Sequence, residues 1–411
     1  MSSRVSQTGD EDGSRLLASA EVGELLAAAT RHAGGELLSW QMDHIDAHPG
    51  HSTTATYAAR VRWGYGERDE LLGVSARTGP RVPTDNRADI FADGDREVAV
   101  WLYPNDPDLP GLARAAYPEK MADLVNEYHL VSRPVSADQV SLSMIGYRPR
   151  RRAVLRMDVT DPAETFYVKV QRKKQFDEVL QRHHLLLEAG VPAPGVAAAT
   201  PEHLLVLKQL PGRALAKAMF DPDDPCTAED LINVLDSMPS SVSHLERRPP
   251  WTDAVAHYAT MVTAAVPSTK DRLDWMVKQV EQGLAGIEPG NEPTHGDFHE
   301  GQVFVADGHV CGILDIDTIG PGRRADDLAC MVAHLSTVQR MNRQQAARVH
   351  HLIRTWVPVF DHRVDPVELR LRAAAVIISL ATGPYRGQEP AWQAETIAIL
   401  DAAEALVRQV A

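Results

Sequence analysis

Basic residues are outnumbered in this chain: 42 Lys and Arg stand against 56 Asp and Glu, a formal net charge of −14 over 411 residues. Holding DNA or RNA by its phosphates needs a basic face and counterion release, so a nucleic-acid partner is not expected. Cysteine is scarcer still. Cys226, Cys311 and Cys330 show no paired metal-ligand spacing, and the last two sit in apolar contexts, which predicts buried, reduced thiols in an intracellular protein. Long apolar runs are missing too, none approaching the roughly 18 uncharged residues of a membrane span. The first fourteen residues are polar and acidic, the reverse of a signal peptide. The expectation is a cytoplasmic protein with no membrane partner. Repeats and low-complexity tracts are absent as well, and no signature fixes an oligomeric state. What is present is a globular composition, 44% apolar and 24% charged, sufficient for a full core and for two or three units at roughly 100–200 residues each.

Periodicity divides the chain. Helical spacing over Glu21 to His32 ends at Gly34-Gly35. It is followed by alternation in STTATYAARVRW and DELLGVSART, by the strand REVAVWLY and by a helix near Glu119 to Tyr128, predicting a small α+β unit over residues 1–134. A second group, QVSLSMIGY, RRAVLRMDV and TFYVKVQR, then a helix over about Phe176 to Glu188 and the strand HLLVLKQL, predicts a sheet with one crossing helix over 135–210. From 211 to 411 the periodicity is mostly helical, in EDLINVLDSM, TDAVAHYATMV, LDWMVKQVEQGL, RAAAVIISLA and AETIAILDAAEALV. One stretch interrupts it: two short apolar runs, QVFVA and VCGILDI, flank the turn Asp307-Gly308.

Such a hairpin brings its ends together, so Asp297 at the entry can converge with Asp315 and Asp317 at the exit, about eighteen residues on. Convergent carboxylates beside an amide suit Mg²⁺, which demands oxygen ligands and keeps positions for water or phosphate oxygens. That points to phosphate chemistry.

The stretch His295-Gly296-Asp297-Phe298-His299-Glu300-Gly301-Gln302, followed by Leu314-Asp315-Ile316-Asp317 and Asp326-Asp327-Leu328-Ala329, resembles the catalytic loop of the aminoglycoside phosphotransferase and choline kinase family, relatives of the protein kinases. The resemblance covers about residues 135–411. It implies an α+β, bilobal protein-kinase-like fold with a mixed-sheet N-lobe, a mainly helical C-lobe and, as in maltokinase-like members, an extra N-terminal cap. It also implies transfer of a phosphoryl group from ATP or GTP, with Mg²⁺, to a hydroxyl of a small molecule: a sugar, an aminoglycoside or a related natural product. Asp297 becomes the catalytic base, and Gln302, Asp315 and Asp317 the metal ligands. Gln302 stands where most members carry Asn; Gln keeps the carbonyl oxygen on a longer stem, and members similar to maltokinase carry it too. Upstream, Lys169 in YVKV takes the place of the lysine that fixes the nucleotide phosphates, with Glu178 on the crossing helix, in competition with Asp177 and Glu188, as its partner. Leu207, Lys208, Gln209 and Leu210 take the place of the hinge that meets the base. The turn Gly146-Tyr147-Arg148-Pro149 takes the place of the phosphate-covering hairpin without its GxGxxG, and GPYRGQEPAWQAET is expected as a loop beside the acceptor.

Other readings stay open. A strand lysine commonly points to solvent, and Arg150 to Arg152 is more often a solvated turn than a phosphate clamp. His295 and Asp327 are expected to brace the loop rather than react. A kinase for Ser or Thr of a biosynthetic peptide, a metal-dependent hydrolase using His295, His299, Asp297 and Asp315, and a pseudokinase that binds nucleotide without transfer are the competing functions.

Overall fold

In the computed structural model, residues 12–48, 51–78, 87–93, 96–338 and 341–410 are described; most of the expected polar tail lies outside them. The chain divides into two compact units, one of residues 1–176, 197–207 and 386–389, the other of residues 177–196, 208–385 and 390–411.

The first unit contains two antiparallel sheets. Helix α1 (Val22–His32) buries Val22, Leu26 and Ala29 and precedes strands β1 (Glu36–His48), β2 (Ser52–Trp63), β3 (Gly66–Thr78), β4 (Asp89–Asp93) and β5 (Arg96–Leu102). They form a sheet ordered β1-β2-β3-β5-β4. Gly73 lies opposite Trp101, and a Cβ there would meet the indole at 2.3 Å, so the absent side chain is what lets Trp101 lie flat in the core.

Helix α2 (Pro118–Glu127) leads to β6 (Val140–Arg148), β7 (Arg152–Thr160) and β8 (Ala163–Gln171), then helix α3 (Lys173–Glu188), β9 (Val196–Ala199) and β10 (Leu204–Lys208). The second sheet is ordered β6-β7-β8-β10-β9, which is the expected three strands, helix and strand plus the short β9. Met121, Leu124 and Val125 of α2 share a core with Leu155, Met157, Phe166, Val168 and Val206. The expected boundary near residue 134 therefore falls inside one unit, because α2 spends its apolar face on the second sheet. A buried polar joint lies between the two sheets. Trp101 Nε1 donates to the Tyr147 hydroxyl at 2.8 Å, and Tyr147 donates to Asp106 at 2.7 Å. The Arg150 amide donates to the same carboxylate at 2.7 Å. Asp106 is fully buried, and burial holds its carboxyl above the usual range despite these donors.

The second unit is helical. Helices α4 (Ala228–Asp236), α5 (Val255–Ala265), α6 (Lys270–Gly283), α7 (Arg324–Ser336), α8 (Arg343–Arg363), α9 (Pro366–Leu380) and α10 (Trp392–Val407) carry most of it. Helix α9 is buried nearly all round, from Leu369 to Ser379, as its run RAAAVIISL requires of a central helix. The GPYRGQEPAWQAET stretch is part helix: a short one spans Gly383–Arg386, and α10 begins at Trp392. Cys226 and Cys330 are buried as expected; Cys311 is only half-buried, its thiol donating to the Pro211 carbonyl at 3.3 Å.

Candidate active site

Two small β ladders in the second unit position the loop. Strands β11 (Arg213–Ala214), β13 (Val303–Ala306) and β14 (His309–Ile313) form one. The β13–β14 turn has positive φ at both Asp307 (51°) and Gly308 (79°), the mirror-type turn whose twist matches a hairpin. Strands β12 (Glu292–Thr294) and β15 (Gly320–Gly322) form the other, with Thr294 opposite Gly320. That pairing sets the His295–Asp297 loop beside the residues that leave β14.

The loop is fixed from below by Asp327, in the first turn of α7. Its carboxylate, fully buried, accepts the His295 and Gly296 amides at 2.9 and 2.8 Å and Arg324 at 3.0 Å. Burial pushes the Asp327 carboxyl up, against the pull of Arg324, His295 and the two amides. Gly296 has φ +81°, and a Cβ there would lie 2.8 Å from the Thr318 carbonyl oxygen. His295, also fully buried, faces the Leu314 carbonyl with Nε2 at 2.8 Å and takes the Asp297 amide on Nδ1 at 3.4 Å. Both ring nitrogens are thus engaged by backbone, which makes His295 the brace expected and removes it from the metal-hydrolase set.

Beyond Asp297 the chain turns back on itself. Gln302 donates its amide to the His299 carbonyl at 2.9 Å, and its own carbonyl accepts from Leu314 N at 2.7 Å. This places Gln302 and Asp315 together at the open end of the β13–β14 hairpin. Asp315 is left-handed, φ 50°, and opens a turn of 3₁₀ helix over Ile316–Thr318. Asp317 in that turn is 7% exposed. Burial and then the Arg248 charge hold Arg182 on α3 below its usual value, opposed by Glu178 and, more weakly, by Asp317. Gln302, Asp315 and Asp317 offer the all-oxygen donor set that Mg²⁺ takes.

A profile of the phosphotransferase enzyme family matches residues 148–360, more than half of the chain. The chain belongs to that family. Among curated proteins, an uncharacterised protein of Deinococcus radiodurans is 26% identical over 256 residues, covering 57% of this phosphotransferase and 72% of that protein. Similar solved structures include a Plasmodium vivax ethanolamine kinase, 12% identical over 71% of this chain and 90% of that one, TM-score 0.47. A thermostable mutant of aminoglycoside phosphotransferase APH(4)-Ia in its apo form is 14% identical over 70% and 97%, TM-score 0.49. Choline kinase LicA from Streptococcus pneumoniae is 12% identical over 70% and 99%, TM-score 0.46.

The phosphotransferase loop also gathers His334, Glu300 and Cys330, to which sequence reasoning assigned no role, around His299, which it offered only as a hydrolase ligand. His299 and His334 stack with centroids 4.0 Å apart and planes 9° from parallel, and Glu300 lies 3.7 Å from Nδ1 of each. Burial lowers His334 to about 4, helped by the His299 charge. Burial also pulls His299 down, but the nearby acids Glu300, Asp297 and Asp315 outweigh it and leave the ring above its usual value. Asp297, His299 and His334 are the one group of three metal-ligating side chains found among the described residues; Asp315 and Asp317 are outside it. Imidazole lone pairs lie in the ring plane, and two near-parallel stacked planes share no point where one ion could be bound by both. The group is therefore not a preformed zinc centre. Cys330 places its thiol 3.8 Å from Asp297 Oδ1. Asp327, Cys330 and His334 are spaced i, i+3, i+7 on α7, one helical face, a stripe readable once Asp327 was singled out.

The remaining expected residues lie on other elements. Lys169, on β8 in the first unit, is buried at 8% exposure, which sets aside the solvent-pointing reading. Glu178 forms ion pairs with Arg182 at 3.4 Å and Arg248 at 3.6 Å. Lys208 and Gln209 are exposed and Leu210 is buried; the Lys208 amide donates to the Gly195 carbonyl at 2.8 Å.

Proposed function

We propose that the protein transfers the γ-phosphoryl group of ATP or GTP to a hydroxyl of a small molecule, a sugar, an aminoglycoside or a related natural product. The observation that supports this most is the seating of Asp297: a loop pinned by two backbone hydrogen bonds to Asp327 presents one carboxylate beside the end of the hairpin that carries Gln302 and Asp315. In this reading Asp297 orients the acceptor hydroxyl and takes its proton. The acceptor oxygen bonds to the γ-phosphorus as the β–γ bridging bond breaks, leaving the nucleoside diphosphate. Gln302, Asp315 and Asp317 are the residues that would hold Mg²⁺, which supplies charge neutralisation between the phosphates. Lys169, buried on β8, is assigned to the nucleotide phosphates, Glu178 to its orientation, and Lys208, Gln209 and Leu210 to the base.

The test is a mass-spectrometric screen for phosphate addition across sugars, aminoglycosides, nucleosides and peptides, with ATP and GTP offered separately. Phosphate on a small-molecule hydroxyl, absent with Asp297→Asn, is the expected result. Nucleotide binding without transfer to any acceptor would contradict it.

A further inference from the structure

The loop that carries Asp297 and the turn that carries Asp315 and Asp317 are separate segments of chain, and neither is regular: Gly296 has φ +81° and Asp315 φ 50°. A base and a metal site built on two such segments keep their spacing only if one is tied to the other, because reacting groups displaced by about 1 Å can lose on the order of 10² in rate. Side-chain hydrogen bonds cross the gap. Thr294 Oγ1 donates to the Gly320 carbonyl at 2.8 Å, at the end of the β12–β15 ladder. His295 Nε2 donates to the Leu314 carbonyl at 2.8 Å, one residue before Asp315. Between them, Thr318 Oγ1 donates to the His295 carbonyl at 2.8 Å.

The Thr318 bond runs from the turn to the loop, and it joins the residue after Asp317 to the residue two before Asp297. Thr318 also meets the loop through its main chain. A Cβ at Gly296 would lie 2.8 Å from the Thr318 carbonyl oxygen and 3.2 Å from its Cβ, so the glycine is what allows the two backbones to touch. The far side of the turn is anchored in the core. Ile316 and Ile319, which flank Asp317 and Thr318, are fully buried. The Ile319 amide donates to the Ile316 carbonyl at 3.3 Å, and the Ile319 carbonyl accepts from Arg182 Nε at 3.3 Å. A hydroxyl-to-carbonyl hydrogen bond adds little to global stability; its place between the two segments is what gives this one weight.

We propose that Thr318 is a positioning residue whose hydroxyl holds the Asp315–Asp317 turn in register with the Asp297 loop, so that base and metal ligands move as one body. Thr318 acts through His295 and not on the substrate. The proposal rests on the phosphotransfer roles given above to Asp297, Asp315 and Asp317.

Thr318→Val keeps the shape of the side chain and removes the hydroxyl, whereas Thr318→Ser keeps the hydroxyl and removes a methyl. In the full chain, Mn²⁺ affinity in the presence of AMP-PNP is followed by electron paramagnetic resonance of the free ion, and kcat and KM are measured on an identified acceptor. Thr318→Val is expected to weaken Mn²⁺ binding and to lower kcat by about tenfold each, with KM for the acceptor retained. Thr318→Ala, which places no methyl against the loop carbonyl, is expected to match it, and Thr318→Ser to stay close to the wild type. A hydroxyl that only stabilised the loop would lower Tm and leave Mn²⁺ affinity and kcat of the folded protein unchanged. The proposal is overturned if Thr318→Val and Thr318→Ala bind Mn²⁺ and turn over as the wild type does, or if Thr318→Ser falls as far as they do. Asp315→Ala separates this from the reading beneath it. Loss of Mn²⁺ binding is expected there; wild-type binding by Asp315→Ala would remove the metal assignment itself, and the role of Thr318 with it.

Discussion

Gly296 and His334 show how single positions shape the loop around Asp297. Any side chain at 296 meets both a φ of +81° and the Thr318 carbonyl at 2.8 Å. Gly296→Ala is accordingly expected to destabilise the protein by about 1–3 kcal/mol, read as a lower Tm, and to slow turnover more than it weakens nucleotide binding. His334 titrates with the opposite bias from an exposed histidine. Its folded value of about 4 lies below the 6.5 of the unfolded chain, so the unfolded state takes up the proton first as pH falls. Its contribution to stability is full above pH 6.5 and is lost between 6.5 and about 4. Replacing it by Gln should flatten the acid limb of a Tm-against-pH curve in that window; an unchanged limb would mean the ring is protonated in the fold.

Asp327 belongs to the scale of the element, because it ties the first turn of α7 to a loop 31 and 32 residues away in sequence. Arg324 is 2% exposed, and its guanidinium pairs with Asp327 at 3.0 Å and Asp236 at 3.1 Å. Asp327→Asn removes one buried charge and leaves the guanidinium undercompensated. A loss of about 3–5 kcal/mol is expected by denaturant unfolding, with activity falling further than the stability loss alone explains. The hairpin carrying Asp315 was legible in sequence, since an Asp-Gly turn is a local signal; the helix carrying Asp327, Arg324–Ser336, was not among the periodic stretches read there. Strand β1 was not legible either. Its register shifts between Leu37 and Ser39 and between Met42 and His44, and each shift moves the apolar residues to the other phase, so ELLSWQMDHIDAH shows no sustained alternation. His334 escaped for a different reason. Its role comes from a neighbour 35 residues away, His299, and no local pattern encodes such a meeting.

For the whole molecule, the notable point is where its charge is spent. Against a net charge of −14, the acids of the loop region are tied to specific cations: Asp327 to Arg324, Glu178 to Arg182 and Arg248. A nucleotide with Mg²⁺ should therefore bind as a ligand that stabilises the folded chain. At a free concentration 100 times its Kd the gain is about 2.7 kcal/mol, measured as a rise in Tm, and it should shrink when Mg²⁺ is chelated. The most direct test of the account compares wild type and Asp297→Asn on an identified acceptor, with turnover and AMP-PNP affinity both measured. The account predicts a fall in kcat of about 10²–10⁴-fold with nucleotide affinity retained. Near-normal turnover by Asp297→Asn would contradict it.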